Sequence, residues 1–324
     1  MRRALITGIE GQDGYYLAKL LVNSGYEVHG FVREAGSHTV GDRISVHTVD
    51  LADGDRLGEL VRTVAPDEVY NLAAVSSVAA SWDDPVETTR INALAVSVIL
   101  SAVSDLQSSR DTPVRFVQAS SAEIFGQADE APQNEQTPIR PVSPYGASKA
   151  FAHQMVGIFR SRGIFASSCI LYNHESPRRP ANFVTRKITQ SVARISRGLQ
   201  ETLTLGNLDS RRDWGWAPDF ASALHLAARA EHPDDFIIAT GQSHSVHDFV
   251  SAAFLHVGIE DWRDRVQVST EFSRPIDPTL QVGDAQRARE VLGWEPSVSF
   301  DTLVGAMVDY DLMLLDSEQA NAEL

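Results

Sequence analysis

A short apolar run that ends in a glycine-spaced turn constrains this chain more than any other feature. Ala4-Leu5-Ile6-Thr7 reads as a strand, Gly8-Ile9-Glu10-Gly11-Gln12-Asp13-Gly14 as a turn, and residues 13–24 as a helix. The spacing is G-x-x-G-x-x-G. Glycines there permit a tight turn and let the backbone at a helix start approach a pyrophosphate. The plain alternative is a turn that only joins strand to helix; the strand–turn–helix order favours the dinucleotide reading.

The alternation continues downstream. Apolar runs predict strands at 27–32, 46–49, 68–72, 114–119 and 165–171, with helices over 52–64 and 86–106 between them. Repeated βα units predict a parallel sheet covered on both faces. Residues 1–172 therefore read as a Rossmann-type doubly wound α/β domain. After Tyr172 the pattern loosens into an arginine-rich stretch over 173–187, strands at 202–205, 236–239 and 266–268, and helices near 246–256, 284–292 and 300–315. Residues 173–324 read as a smaller substrate-binding lobe over the strand C-termini, with some elements returning to the sheet.

Composition narrows the class of ligand. A net charge of −15 argues against a nucleic-acid partner, though a local arginine cluster can still serve a small anion. The single cysteine, Cys169, lies in an apolar run, which fits a buried structural thiol and a reducing compartment. No segment reads as long and apolar enough to cross a bilayer, and Gly8 ends the first run too early for a signal peptide. The expected setting is the cytoplasm, without a membrane partner. No His/Cys/carboxylate group has metal-site spacing, so no metal is expected.

The end of the second strand, Val32-Arg33-Glu34, bears on the choice of dinucleotide. An arginine there accepts a 2′-phosphate, whereas an acid grips a free ribose hydroxyl. Arg33 comes first and favours NADP; Glu34 keeps NAD open. Asp50 and Leu51, past the third strand, are expected at the adenine, and Ala73 and Ala74 past the fourth let the cofactor approach closely.

Ser143-Pro144-Tyr145-Gly146-Ala147-Ser148-Lys149 puts a phenol and an ammonium four residues apart, on one face of a helix. To act as a base near neutrality, a phenol with a reference pKa near 10 must fall by about three units, or about 4 kcal/mol. One ammonium about 4 Å away supplies on the order of 4 kcal/mol at an effective dielectric near 20. Lys149 is therefore expected to depress Tyr145, and Ser121 to hydrogen-bond the same substrate oxygen. Alcohol oxidation needs only these three. Glu123, two residues beyond Ser121, adds a carboxylate that fits a second proton transfer; its plain alternative is a solvated strand-end acid.

These residues resemble the extended short-chain dehydrogenase/reductases, and closely their GDP-mannose 4,6-dehydratase branch. The likeness rests on the glycine turn, residues 120–126 and 143–149, Asn173-His174-Glu175-Ser176-Pro177-Arg178-Arg179 and Asn182-Phe183-Val184-Thr185-Arg186-Lys187. It extends through Leu205-Gly206-Asn207-Leu208-Asp209, Arg212-Asp213-Trp214-Gly215, Arg274-Pro275 and Leu292-Gly293-Trp294. It implies Ser121, Glu123, Tyr145 and Lys149 as catalytic residues, with Tyr145 and Lys149 also touching the cofactor beside Gly8, Gly11, Gln12, Asp13 and Gly14. It implies a GDP-hexose held by Asn173, Lys187, Arg212 and Arg274, with Ser76 and Glu175 nearer the sugar. His174 is expected to make a structural hydrogen bond. The implied reaction oxidises C4, eliminates water across C5 and C6, and reduces C6, so NADP ends as it began.

Several positions depart from the family pattern. Ser121 stands for threonine, Ala122 for a hydroxyl residue, Trp216 for histidine, Val75 for glutamine and Glu34 for a second arginine. The short loop after Arg33 favours a homodimer over a tetramer. A ketoreductase or epimerase of a related nucleotide sugar, and a non-catalytic cofactor sensor, are the alternatives.

Overall fold

The computed structural model describes residues 1–34, 43–269 and 280–322. The first part runs β1 (Arg3–Thr7), α1 (Gln12–Asn23), β2 (Glu27–Val32), β3 (Ile44–Thr48), α2 (Gly54–Val64) and β4 (Glu68–Asn71). It continues with α3 (Ala80–Asp83), α4 (Pro85–Thr89), a π-helical run at Arg90–Leu94, α5 (Ala95–Ser108), β5 (Arg115–Ser121), α6 (Pro144–Ser161) and β6 (Phe165–Leu171). Then come β7 (Asn173–Glu175), α7 (Val184–Ser196), β8 (Leu203–Leu205), β9 (Arg211–Arg212), β10 (Trp214–Trp216), α8 (Ala217–Arg229) and β11 (Asp235–Ile238). The last are β12 (His244–Ser245), α9 (Val246–His256), β13 (Val266–Val268), β14 (Leu280–Gln281), a π-helical run at Ala288–Leu292 and α10 (Phe300–Ala322).

Seven strands pair in the order β11-β6-β5-β4-β1-β2-β3, and every pairing is parallel. The order reverses at β1, which opens a crevice at the strand C-termini between the turns after β1 and β4. One face of the sheet packs on α1 and α8 through Leu17, Leu21, Phe220 and Leu224; the other packs on α2, α5 and α6 through Leu57, Val61, Ile99, Val103 and Val156. Each such side chain contributes roughly 1.5–3 kcal/mol of burial. A separate core joins α7, α9 and α10 around Trp214, Phe249, Phe254, Trp262 and Met307.

Three sequence expectations need correction. The third strand lies at Ile44–Thr48, because its alternating Ser45 and His47 hide an edge strand from an apolar-run search. The helix expected over 86–106 is interrupted at Arg90–Leu94, where Asn92 turns inward. The stretch Pro85–Ser108 does have the length and apolarity to cross a membrane, contrary to the expectation. Its Ala95, Val96, Ile99, Leu100 and Val103 are buried in the core it shares with α2.

Candidate active site

The crevice is built first by the glycine turn. Gly8 has φ +69°, in the left-handed region, and a Cβ there would stand 2.9 Å from the Ala73 Cα. A Cβ on Gly14 would meet the Gly8 carbonyl oxygen at 2.3 Å, so the turn closes only with glycine. Gly11 caps α1 without a side-chain acceptor, so the helix start carries the N–H groups that suit a pyrophosphate. A cavity of about 270 Å³ adjoins, lined by Gly8, Phe31, Arg33, Asp50, Leu51, Ala73, Ala74 and Val75 among others. Arg33, Asp50, Leu51, Ala73 and Ala74 thus come together as expected. A cradle that any side chain would fill, beside an apolar slot edged by Arg33, fits a dinucleotide.

Gln12 and Asp13 belong to the turn, but their side chains reach across to β7. Gln12 donates to the His174 carbonyl (3.0 Å) and accepts from Ser176 Oγ (2.8 Å). Asp13 Oδ2 lies 2.9 Å from His174 Nε2, while His174 Nδ1 donates to the Tyr172 carbonyl at 2.7 Å. The imidazole stacks on Phe220, centroids 4.5 Å apart. Burial alone would lower the His174 pKa, but the Asp13 carboxylate more than offsets it and holds the ring above its usual value. Burial likewise pushes Asp13 up, yet His174 and Arg179 bring it below its ordinary value. His174 has the structural bonding its motif suggested.

The catalytic corner forms where β5 ends against the start of α6. Ser143 caps α6 by accepting from the Gly146 N–H (3.0 Å), and Pro144 opens the helix. That start points Tyr145 and Lys149 at the end of β5. The Ser121 hydroxyl hydrogen-bonds the Tyr145 phenol and accepts from the Glu123 N–H at 3.2 Å. Glu123 is half-buried, and its carboxylate acts on the phenol electrostatically. Ser121, Glu123, Tyr145 and Lys149 therefore share one corner.

The phenol is not depressed as expected. Burial, opposed by the Ser121 hydrogen bond and reinforced by Glu123, pushes Tyr145 up to about 12. The Lys149 ammonium donates to the Ala119 carbonyl at 2.8 Å and stands 5.8 Å from the Tyr145 ring centroid. Burial brings Lys149 down to about 8, against a pull upward from Asp13. The distance assumed from helical spacing ignored this carbonyl and the desolvation of both groups.

The substrate-side residues are more scattered. Asn173 is half-buried at the start of β7, and Ser76 is exposed. Glu175 is buried and accepts from Thr185 Oγ1 (2.6 Å) with Arg179 at 3.3 Å, so its carboxylate is engaged within the protein. Lys187 sits half-buried on α7. Arg212 is buried on β9 and donates to the Arg211 carbonyl at 2.7 Å. Arg274 lies outside the described residues.

Sequence reasoning missed two contributors. Arg179, whose guanidinium lies 3.8 Å from the Phe183 ring centroid, acts on both Tyr145 and Asp13. Asn92, inside the π-helical run, accepts from the Val75 N–H (2.8 Å) and donates to the Val75 carbonyl and to Ser148 Oγ, pinning the cavity wall to the helix of Lys149. An arginine pair and a buried asparagine in an apolar helix were the available signals.

A family model described as GDP-mannose 4,6 dehydratase matches residues 5–307. The chain belongs to the GDP-mannose 4,6-dehydratase family. It is 42% identical to GDP-mannose 4,6 dehydratase 1 of Arabidopsis thaliana over 99% of its own length and 92% of the relative's. It is 41% identical to the Homo sapiens GDP-mannose 4,6 dehydratase over 96% and 92%. A Thermus thermophilus UDP-glucose 4-epimerase solved with NAD aligns with a TM-score of 0.82 and 27% identity, over 95% of this chain and 98% of that one. With the turn and cavity, membership in this dehydratase family makes the crevice a pyridine-nucleotide site.

Proposed function

We propose that the protein catalyses the NADP-dependent, redox-neutral dehydration of GDP-mannose, or a close GDP-hexose, to the 4-keto-6-deoxy sugar. The observation that carries this is a Glu123 carboxylate near enough to the Tyr145 phenol to act on it electrostatically, with the Glu123 N–H bonded to Ser121, one acid more than a simple dehydrogenase needs. The glycine turn, Tyr145 and Lys149 would hold the dinucleotide, which would supply reversible hydride transfer, from C4 and back to C6. Tyr145 takes the C4 hydroxyl proton, and Ser121 steadies that oxygen. With a pKa near 12 the buried phenol keeps its own proton near neutrality, so it can take the C4 proton only once positive charge beside it brings that pKa down. Glu123 removes the C5 proton made acidic by the C4 ketone and passes it to the hydroxyl that leaves C6 as water; as hydride reaches C6, C5 takes up the proton that Tyr145 accepted from C4, so both residues end as they began. Arg212, Lys187 and Arg179 supply cations for the diphosphate end.

Incubation with GDP-mannose and NADP should yield the keto-deoxy sugar with no net NADPH. Retained cofactor without turnover of any GDP-hexose would remove the reading. Glu123→Gln should block elimination while sparing the first hydride transfer, seen as accumulated nicotinamide absorbance; full turnover would contradict its role. NADP over NAD is supported by Arg33 at the cavity edge. Arg33→Ala should weaken NADP about tenfold, as loss of a charge-assisted pair implies, and leave NAD unchanged. A cytoplasmic homodimer completes the proposal. Leu94, Phe151 and Ile158 stay exposed on or beside α5 and α6 and support such a contact; light scattering at a monomer mass would exclude it.

A further inference from the structure

Three polar side chains lie in one lateral row across the middle of the sheet, where apolar residues are the rule. Thr7 of β1 is in register with Asn71 of β4, and Asn71 with Gln118 of β5. All three are at most 3% exposed. Their hydrogen bonds run in one direction. Thr7 Oγ1 accepts from the Leu72 and Ala73 N–H groups (3.0 and 3.1 Å) and donates to Asn71 Oδ1 (2.7 Å). Asn71 Nδ2 donates to Gln118 Oε1 (2.9 Å), and Gln118 Nε2 donates to the Ala119 carbonyl (2.9 Å). That carbonyl is the acceptor of the Lys149 ammonium.

A buried polar row must be fully paired to be tolerated, and bonds aligned head to tail polarise one another. One end touches Ala73 in the cofactor wall and Gly8 through the chain; the other ends on the lysine beside Tyr145. The row thus joins the two places that must stay aligned while hydride moves. We infer that Thr7, Asn71 and Gln118 form a positioning relay that fixes the Ala119 carbonyl, and through it Lys149, relative to the cofactor turn. The inference takes its reaction from the proposed dehydration.

The test uses the full chain with NADP. Gln118→Met keeps side-chain length and removes both donor and acceptor. It should lower kcat on GDP-mannose by roughly ten- to a hundredfold, the loss typical of a misplaced catalytic group, with KM and NADP affinity shifting much less. Asn71→Leu should act through the same row, so the double variant should be no slower than the slower single one. A kcat that stays at the wild-type value, or losses that multiply across the two, would overturn the relay. Should Gln118→Met fail to fold, the far end decides. Thr7→Ser, which keeps the hydroxyl, should outpace Thr7→Val by roughly tenfold; equal rates overturn the idea.

A substrate-free measurement separates this from the function itself. The chain has only three lysines, Lys19, Lys149 and Lys187, so ¹⁵Nζ labelling resolves them. The Lys149 resonance should move in Gln118→Met while those of Lys19 and Lys187 stay; an unmoved Lys149 signal refutes the relay. Absence of turnover on every GDP-hexose would sink the dehydratase reading and leave this measurement standing.

Discussion

The two halves of the crevice are made in opposite ways. The cofactor half turns on missing side chains: Gly8 and Gly14 leave no room for a Cβ, and the small Ala73 and Ala74 keep open a slot that Phe31, Leu51 and Arg33 also line. The sugar half depends on the second lobe, whose buried charges have fixed partners: Glu175 with Thr185 and Arg179, Asp213 with the Thr240 hydroxyl and the Gly241 and Gly283 N–H groups, and Arg186 with Asp311. One half therefore selects mainly by shape, its glycine turn tolerating no added atom, with Arg33 adding charge at the cavity edge. The other recognises by charge and depends on keeping its own pairs intact. The catalytic corner stands between them and borrows from both.

That contrast can be broken at four points. Tyr145→Phe should cut kcat by roughly 10²–10⁴ while NADP still binds, the range for a lost proton-transfer group; simultaneous loss of cofactor would mean the halves are not separable. Asp311→Ala leaves Arg186 buried without its carboxylate, and should cost about 3–5 kcal/mol in urea unfolding with little change in NADP affinity. Gly14→Ala should do the reverse: about 1–3 kcal/mol of overpacking, read as weakened NADP binding by calorimetry.

The smallest effect concerns the pair that stitches the halves together. Asp13 has its pKa below the usual 3.8, so its contribution is present above that value and is lost as pH falls through the depressed folded one. His174 lies above the usual 6.5, so its contribution is full below 6.5 and fades as pH rises through the raised folded value. The stability gap between wild type and His174→Gln should therefore peak between pH 4 and 6, at about 1.5 kcal/mol, and shrink toward pH 8. A gap that is flat across that range would contradict the ion pair.

What the sequence made legible follows this division. Shape recognition leaves short-range signals, so the strand–glycine–helix unit, the cavity residues and the Tyr145–Lys149 face could be read from spacing alone. Charge recognition relies on distant partners: His174 is 161 positions from Asp13, and Asp311 is 125 from Arg186. No local window contains such pairs. The lobe strands of two or three residues, such as β9 and β12, are too short for any periodicity to register. The phenol's elevation escaped for another reason: helical spacing fixes which residues share a face, but not the carbonyl that captures Lys149 nor the water both groups lose.

The pairing of β11 with β6 carries a consequence for synthesis. β6 is buried along its whole length, and its outer neighbour is a strand that begins 64 positions after β6 ends, from Leu171 to Asp235. As the polypeptide leaves the ribosome, the first six strands can assemble while that flank still shows bare amides and carbonyls. For several seconds of translation the nascent sheet offers a sticky border to any passing strand. Protection arrives only when Asp235-Phe236-Ile237-Ile238 emerges to zip it shut.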